Sequence, residues 1–145
     1  MNNNYLASEV KTSQGNYRVI VGKDILGEMK SELEYAGLKG KKCFLIADKS
    51  MFPKNTKLLH ESLESQGFIT NSLSIEFSES LKNYDTVNKI YNWLADMKAE
   101  RKDFILSFGG GVTGDIVGFV ASSYLRGMQF IQVPTTLAAM TDASI

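Results

Sequence analysis

An α/β fold is predicted by this sequence, with an open, mostly parallel sheet, helices on both faces and an N-terminal β-hairpin. Three observations predict it. Apolar stretches of strand length alternate with stretches of helical spacing, two of those apolar stretches are nearly uninterrupted, and a glycine run joins one of them to a helix. The 145 residues suit one ordinary domain.

Tyr5 to Val10 and Tyr17 to Val21 have strand character, and the intervening Ser13-Gln14-Gly15-Asn16 is turn chemistry, so the chain opens on a hairpin. From about Asp24 to Tyr35, Ile25, Met29 and Leu33 share one helical face, with Asp24 as N-cap and Gly37 as stop. Lys42 to Ala47 is almost continuously apolar, as a parallel strand covered on both faces requires. A helix from about Pro53 to Gln66 has proline in its first turn and Gly67 past its end. A strand follows from about Asn71 to Phe77. From Asp85 onward, Val87, Ile90, Tyr91, Leu94 and Met97 fall at amphipathic spacing. Phe104-Ile105-Leu106-Ser107-Phe108 is a short apolar strand running into Gly109-Gly110-Gly111, after which Ile116 to Tyr124 reads as helix and Met128 to Val133 as strand. Such alternation argues for right-handed βαβ units. There is no repeat, low-complexity tract or interior linker. The final Thr141-Asp142-Ala143-Ser144-Ile145 has neither a terminating helix nor a polar tail, which predicts a piece of a longer protein.

Composition narrows the function classes. At 43% hydrophobic and 22% charged, the chain is of soluble globular type. Sixteen basic residues balance sixteen acidic ones, so no overall field favours nucleic acid or an anionic membrane, although a local anion site stays open. Cys43 lies in an apolar run and reads as a buried small hydrophobe, and as the sole cysteine it forms no intrachain disulfide. Met1-Asn2-Asn3-Asn4 is no secretory start, and no run approaches the ~18 apolar residues that span a bilayer, so the expected compartment is the cytoplasm.

The strongest local signal is Gly109-Gly110-Gly111-Val112-Thr113-Gly114-Asp115, which fits G-x-G-x-x-G between a strand and a helix. Glycines there let the backbone approach a pyrophosphate, while the helix N-terminus offers free N–H groups to the anion. The same turn also arises from tight packing alone, so both readings stand. It follows a late strand, and Pro134-Thr135-Thr136 occupies the region where a ribose-binding acid is expected, so this Rossmann-like fingerprint is relocated. An acid does end an earlier strand: Asp48 is either a ribose ligand at a strand's carboxyl end or a turn residue. No Lys-Ser/Thr pair follows the glycines, which sets aside a P-loop. His60, the sole histidine, lacks a histidine partner and reads as a surface residue, so no metal site is expected in this chain.

From Glu79 onward the sequence resembles the 3-dehydroquinate synthase family. The resemblance rests on Glu79-x-x-Lys82, the glycine turn through Asp115, Gly118-Phe119, Tyr124-Leu125-Arg126-Gly127, Phe130-Ile131-Gln132-Val133-Pro134-Thr135-Thr136-Leu137 and Asp142-x-Ser144. Ser78 and Ala138 depart from the family's usual glycine and leucine without altering a charged contact. The resemblance implies the NAD-binding half of an enzyme converting 3-deoxy-arabino-heptulosonate 7-phosphate to 3-dehydroquinate and phosphate, with a helical metal-binding half beyond Ile145. By that likeness Asp48 contacts the adenosine ribose, Glu79 and Lys82 lie near the nucleotide, and Gly111, Val112, Thr113, Gly114 and Asp115 wrap the pyrophosphate and neighbouring ribose. Thr135 and Thr136 hydrogen-bond the cofactor, Asp142 stands between nicotinamide and substrate, and Arg126 meets the substrate phosphate, in its own or a neighbouring subunit. The purely structural alternatives are an ion pair for Glu79 and Lys82, a turn for Thr135 and Thr136, and a pairing role for Arg126. The implied cofactors are NAD and, in the longer enzyme, zinc or cobalt; the implied partners are a phosphorylated sugar acid and a second copy in a homodimer. Two alternatives share the motifs: another sugar phosphate cyclase or related metal-dependent alcohol dehydrogenase, and a nucleotide-binding module without catalysis.

Overall fold

The computed structural model describes residues 5–13, 15–23, 25–38, 41–51 and 53–144. Asp24, the expected N-cap, and Gln14 of the expected turn lie outside the described residues. The chain divides into two compact units, Met1–Gly37 and Leu38–Ile145.

In the first unit, β1 (Tyr5–Thr12) and β2 (Gly15–Gly22) pair antiparallel from Tyr5 opposite Gly22 to Thr12 opposite Gly15. Thr12 Oγ1 donates to the Gly15 carbonyl at 2.7 Å, tying the ends of the turn together. The expected helix from Asp24 begins instead as a 3-10 turn, Ile25–Glu28, before α1 (Met29–Tyr35). Arg18 pairs with Glu32 at 3.1 Å and stacks 4.5 Å from the Tyr35 ring centroid, while Tyr35 donates to Glu9 at 2.9 Å. Gly37 has φ +62, the left-handed conformation of a helix stop.

The second unit is a four-stranded parallel sheet in the order β4-β3-β5-β6. Its elements are β3 (Lys42–Asp48), α2 (Pro53–Ser65), β4 (Ile69–Ile75), α3 (Tyr84–Asp96), β5 (Phe104–Gly109), α4 (Gly111–Ser123) and β6 (Gln129–Pro134). The two strands with nearly continuous apolar runs are the central ones, and β5 is buried along its whole length. Alternate residues of a strand face opposite sides. Phe44, Ile46 and Ile105 accordingly enter one cluster with Val87, Ile90 and Leu94 of α3 and Ile116, Val117 and Val120 of α4. Leu45 and Leu106 point the other way, toward the face that α2 covers with Leu59 and Leu63; all four are fully buried. Helices on both faces are therefore observed. Right-handed crossovers require it, because β3 to β4 runs one way along the sheet while β4 to β5 and β5 to β6 run the other.

Asn83 caps α3 by accepting from the Thr86 N–H at 3.0 Å. Asp103, at 1% exposure, accepts from the N–H of Lys42 and of Glu100 at 3.3 and 3.0 Å, which fixes the starts of β3 and β5 beside each other. One boundary differs in a way that matters. The last long helix was expected from Ile116, but α4 begins at Gly111, because glycine's low helix propensity is overridden where the helix packs on the sheet. Cys43 is fully buried, and burial pushes its thiol pKa up.

Candidate functional site

In an open α/β sheet a crevice forms at the carboxyl ends of adjacent strands whose connections leave in opposite directions. The order β4-β3-β5-β6 puts that switch point between β3 and β5. Asp48 ends β3, and Gly109 ends β5. Two features weighed separately in the sequence, an acid and a glycine turn 61 residues apart (109 − 48), thus end neighbouring strands.

The glycines do different work. A Cβ on Gly109 would overlap Thr113 Oγ1 and stand 2.7 Å from its Cβ, and one on Gly114 would overlap the Gln132 amide. Those two positions are packed from within. A Cβ on Gly110 would have only Thr136 Cγ2 at 3.3 Å and Oγ1 at 3.6 Å, and one on Gly111 only Ala143 Cβ at 3.7 Å. Gly110 and Gly111 therefore keep their backbone approachable, which packing alone does not explain.

Gly110 is the N-cap of α4 and supplies no side-chain cap bond, while Gly114 N–H bonds back to its carbonyl at 3.1 Å. The preceding N–H groups of the first turn, at Gly111, Val112 and Thr113, are left without helical acceptors. Thr113 Oγ1 is buried, at 1% residue exposure, and has no hydrogen-bond partner among the described residues. Uncapped N–H groups, an orphaned hydroxyl and an open glycine backbone together fit an anion such as a pyrophosphate.

The β6 end joins this turn. Thr135 N–H donates to the Gly109 carbonyl at 2.9 Å, and Thr135 Oγ1 donates to Met51 Sδ at 3.2 Å, while Met51 N–H bonds to the Asp48 carbonyl at 2.9 Å. Thr136 Oγ1 accepts from Ala139 N–H at 3.3 Å and opens a wide, π-helical turn, Ala139–Ala143, that carries exposed Asp142. Gln132 Nε2 donates to the Ala143 carbonyl at 3.4 Å, holding that turn beside Gly111. Met51 and Gln132 were not among the expected site residues. A signal existed for Gln132, the polar residue inside Phe130-Ile131-Gln132-Val133, and none for Met51.

Lys82 bridges Asp115 at 2.8 Å and Glu79 at 3.3 Å. The ion pair weighed as the structural alternative for Glu79 and Lys82 forms, and the fold adds Asp115 of α4. Hydrogen bonds to Asp115 first and Glu79 second hold the Lys82 ammonium pKa above the ordinary lysine value. Asp48 Oδ1 accepts from both the N–H and Oγ of Ser50 at 2.8 Å, and Oδ2 has no hydrogen-bond partner among the described residues, which leaves it to accept from another donor. Asp48 also borders a groove of about 470 Å³ between α2 and β4 with Lys57, His60, Ser72 and Ser74, which none of the glycine-turn residues lines. There His60 Nδ1 meets Ser72 Oγ at 2.6 Å and its Nε2 meets Glu64 at 3.3 Å. Among the described residues no group of three or more His, Cys, Asp or Glu could hold a metal ion.

Arg126 stands apart. It follows the far end of α4, whose 13 residues at 1.5 Å rise put it about 20 Å from the glycine turn.

The family profile of the 3-dehydroquinate synthase N-terminal domain matches residues 72–145, from the middle of β4 through the glycine turn to the Asp142 segment. The chain belongs to the 3-dehydroquinate synthase family. The 3-dehydroquinate synthase of Clostridium botulinum (strain Alaska E43 / Type E3) is 37% identical over 136 residues, covering 94% of this chain and 39% of that protein. The chain spans about two fifths of the length of the curated relatives it matches. A solved 2-deoxy-scyllo-inosose synthase, complexed with carbaglucose-6-phosphate, NAD+ and Co2+, superimposes with a TM-score of 0.86 at 22% identity over 95% of this chain and 38% of that one, a likeness of fold. The 2-epi-5-epi-valiolone synthase of Streptomyces hygroscopicus subsp. jinggangensis 5008, with NAD+ and Zn2+ bound, gives 0.75 at 26% identity over 97% of this chain and 37% of that one. No helix among the described residues is long and apolar enough to cross a membrane.

Proposed function

We propose that this chain is the NAD-binding part of a 3-dehydroquinate synthase, which converts 3-deoxy-arabino-heptulosonate 7-phosphate to 3-dehydroquinate and phosphate. One observation carries the reading. At the switch point between β3 and β5, the uncapped start of α4 with its orphaned Thr113 hydroxyl adjoins an open glycine backbone and Asp48. NAD supplies reversible hydride acceptance when bound, and the protein's task is to bind, orient and shield it.

In this reading the N–H groups of Gly111, Val112 and Thr113 hold the pyrophosphate, with Gly114 giving close packing and the α4 dipole adding to the attraction. Asp48 accepts from the adenosine ribose hydroxyls. Glu79 and Asp115, each bonded to Lys82, offer carboxylate oxygens toward the nucleotide, and Thr135 and Thr136 orient the nicotinamide end. Asp142 borders the reacting carbon, and Arg126 binds the substrate phosphate. Because Arg126 lies about 20 Å from the glycine turn of its own chain, it is assigned to the site of a second copy in a homodimer. Among the described residues no cluster of metal-binding donors assembles, and in this reading the metal site and most substrate contacts belong to the part of the relatives' length that this chain does not span. The cytoplasm is the compartment this reading expects.

The test is a calorimetric titration of the full-length protein with NAD, paired with a phosphate-release assay on the heptulosonate phosphate. Binding of NAD with NAD-dependent phosphate release is expected. Turnover of a different phosphorylated sugar in its place would move the protein to another cyclase, and absence of NAD binding would overturn the reading.

A further inference from the structure

The turn that presents Arg126 is built against its own sequence. Gly127 N–H donates to the Tyr124 carbonyl at 2.9 Å, and the two residues between them, Leu125 and Arg126, have φ of +51 and +66. That is the geometry of a type I′ turn, whose central positions ordinarily take asparagine and glycine. A branched leucine and an arginine in left-handed backbone are uncommon, and such conformations persist where the surroundings over-determine them.

The surroundings are specific. Tyr91 of α3 and Tyr124 stack with centroids 5.7 Å apart and 32° between planes, and both pack against the α3–α4 core cluster. The Tyr91 hydroxyl meets Ser123 Oγ at 2.6 Å, and Ser123 Oγ reaches the Phe119 carbonyl in the preceding turn. On the far side Met128 N–H bonds to the Ala121 carbonyl at 2.7 Å, closing the loop onto α4. Arg126 itself is exposed, and no ion pair or hydrogen bond of its guanidinium is found among the described residues. A strained turn, braced from within, thus carries a cation that no group in the described chain engages.

We propose that Tyr91, Ser123 and Tyr124 are positioning residues for Arg126: the hydroxyl pair and the ring stack hold the left-handed turn so that the guanidinium is presented in one orientation to an anion outside its own chain. This rests on the reading of Arg126 as the substrate-phosphate ligand. Preorientation matters because a planar guanidinium binds phosphate through paired N–H groups and loses that bond if the fork swings freely.

The experiment is a double-mutant cycle in the full-length enzyme, measuring KM for the phosphorylated substrate, kcat and NAD affinity. Tyr91→Phe keeps the ring and removes the hydroxyl; with Ser123→Ala it should raise KM roughly three- to tenfold, with kcat at saturation and NAD affinity unchanged. Tyr91→Leu, which also removes the stack, should raise KM further. In an Arg126→Gln background, itself expected to raise KM at least tenfold, Tyr91→Phe should add nothing, an outcome that simple loss of stability would not produce. If Arg126→Gln raises KM while Tyr91→Phe and Tyr91→Leu leave it at the wild-type value, the positioning role is wrong and the phosphate role stands. If Arg126→Gln leaves KM unchanged, both fall.

Discussion

Replacing single glycines by alanine should separate folding from cofactor binding within one turn. Gly111 is the first residue of α4, its φ is not left-handed, and an added methyl would meet only Ala143 Cβ at 3.7 Å, an ordinary contact. Gly111→Ala should therefore leave stability unchanged or raise it by about 0.4–1 kcal/mol through the lowered entropy of the unfolded chain. For the full-length protein, of whose relatives' length this chain spans about two fifths, that is a rise in Tm of at most about 2–4 °C. The same methyl occupies the face an anion must approach to hydrogen-bond the backbone at ~2.9 Å. Losing one charge-assisted hydrogen bond there costs about 1.5–3 kcal/mol, or roughly ten- to hundredfold in the NAD dissociation constant. Gly109→Ala should behave in the opposite manner. Its methyl would collide with Thr113, which at 1% exposure has no space to yield, so overpacking of about 1–3 kcal/mol is expected, with a fall in Tm. Gly114→Ala falls between, because the Gln132 amide it meets can swing. Thermal unfolding and calorimetric titration with NAD of the full-length variants measure both quantities. A Gly111→Ala protein that unfolds readily, or that binds NAD as the parent does, would refute the division of labour among these glycines.

Three further outcomes are expected. Asp48→Ala should weaken NAD binding by about 1.5–3 kcal/mol, read by the same titration, because the carboxylate oxygen left over from the Ser50 bonds loses its ribose partner; an unchanged dissociation constant removes Asp48 from the site. The raised Lys82 pKa gives its bridge to Asp115 and Glu79 a sign: its stabilisation is fully present below the ordinary lysine value of about 10.4 and is lost as pH rises through the higher folded value. The stability difference between wild type and Lys82→Met should hold steady from pH 7 to about 10 and shrink above it, and a difference growing at high pH would contradict the bridge. Cys43, fully buried with its pKa pushed up by burial, should resist a thiol reagent in the native protein and react on unfolding; rapid native labelling would mean the β3 core opens.

Much of this was legible in the sequence where one physical rule acted alone. Lys42 to Ala47 and Phe104 to Phe108 read as strands from their apolar runs, and the structure forms them at Lys42–Asp48 and Phe104–Gly109, where coverage on both faces dispenses with polar alternation. The end of α2 followed from Gly67, whose φ of +91 is the stop expected there. Misreadings came where tertiary packing decided. The start of α4 was set too late because helix propensity penalises the glycines that the sheet contact accommodates, and the expected strand from Asn71 to Phe77 forms at Ile69–Ile75, set by its register with β3. The Glu79 and Lys82 ion pair, weighed only as the structural alternative, forms at a spacing of three residues, and its third member, Asp115, joins across the fold and carries no local signal.

The glycine turn illustrates the difference between order in sequence and position in the sheet. Along the chain it follows β5, late for a dinucleotide fingerprint, and by that measure it is misplaced. In the sheet, β5 lies directly beside β3, since the connection through α2 carries β4 to the outside and the connection through α3 brings the chain back across β3. Loops leaving β3 and β5 therefore diverge, and only between these two strands do the connections open a crevice instead of covering it. A glycine turn after β4 would also border Asp48, but at an outer strand whose connection crosses back over β3, and one after β6 would lie a further strand from it. Given a ligand with a pyrophosphate at one position and a ribose beside it, the turn after β5 and the acid after β3 are the pair that this strand order sets on either side of the open crevice.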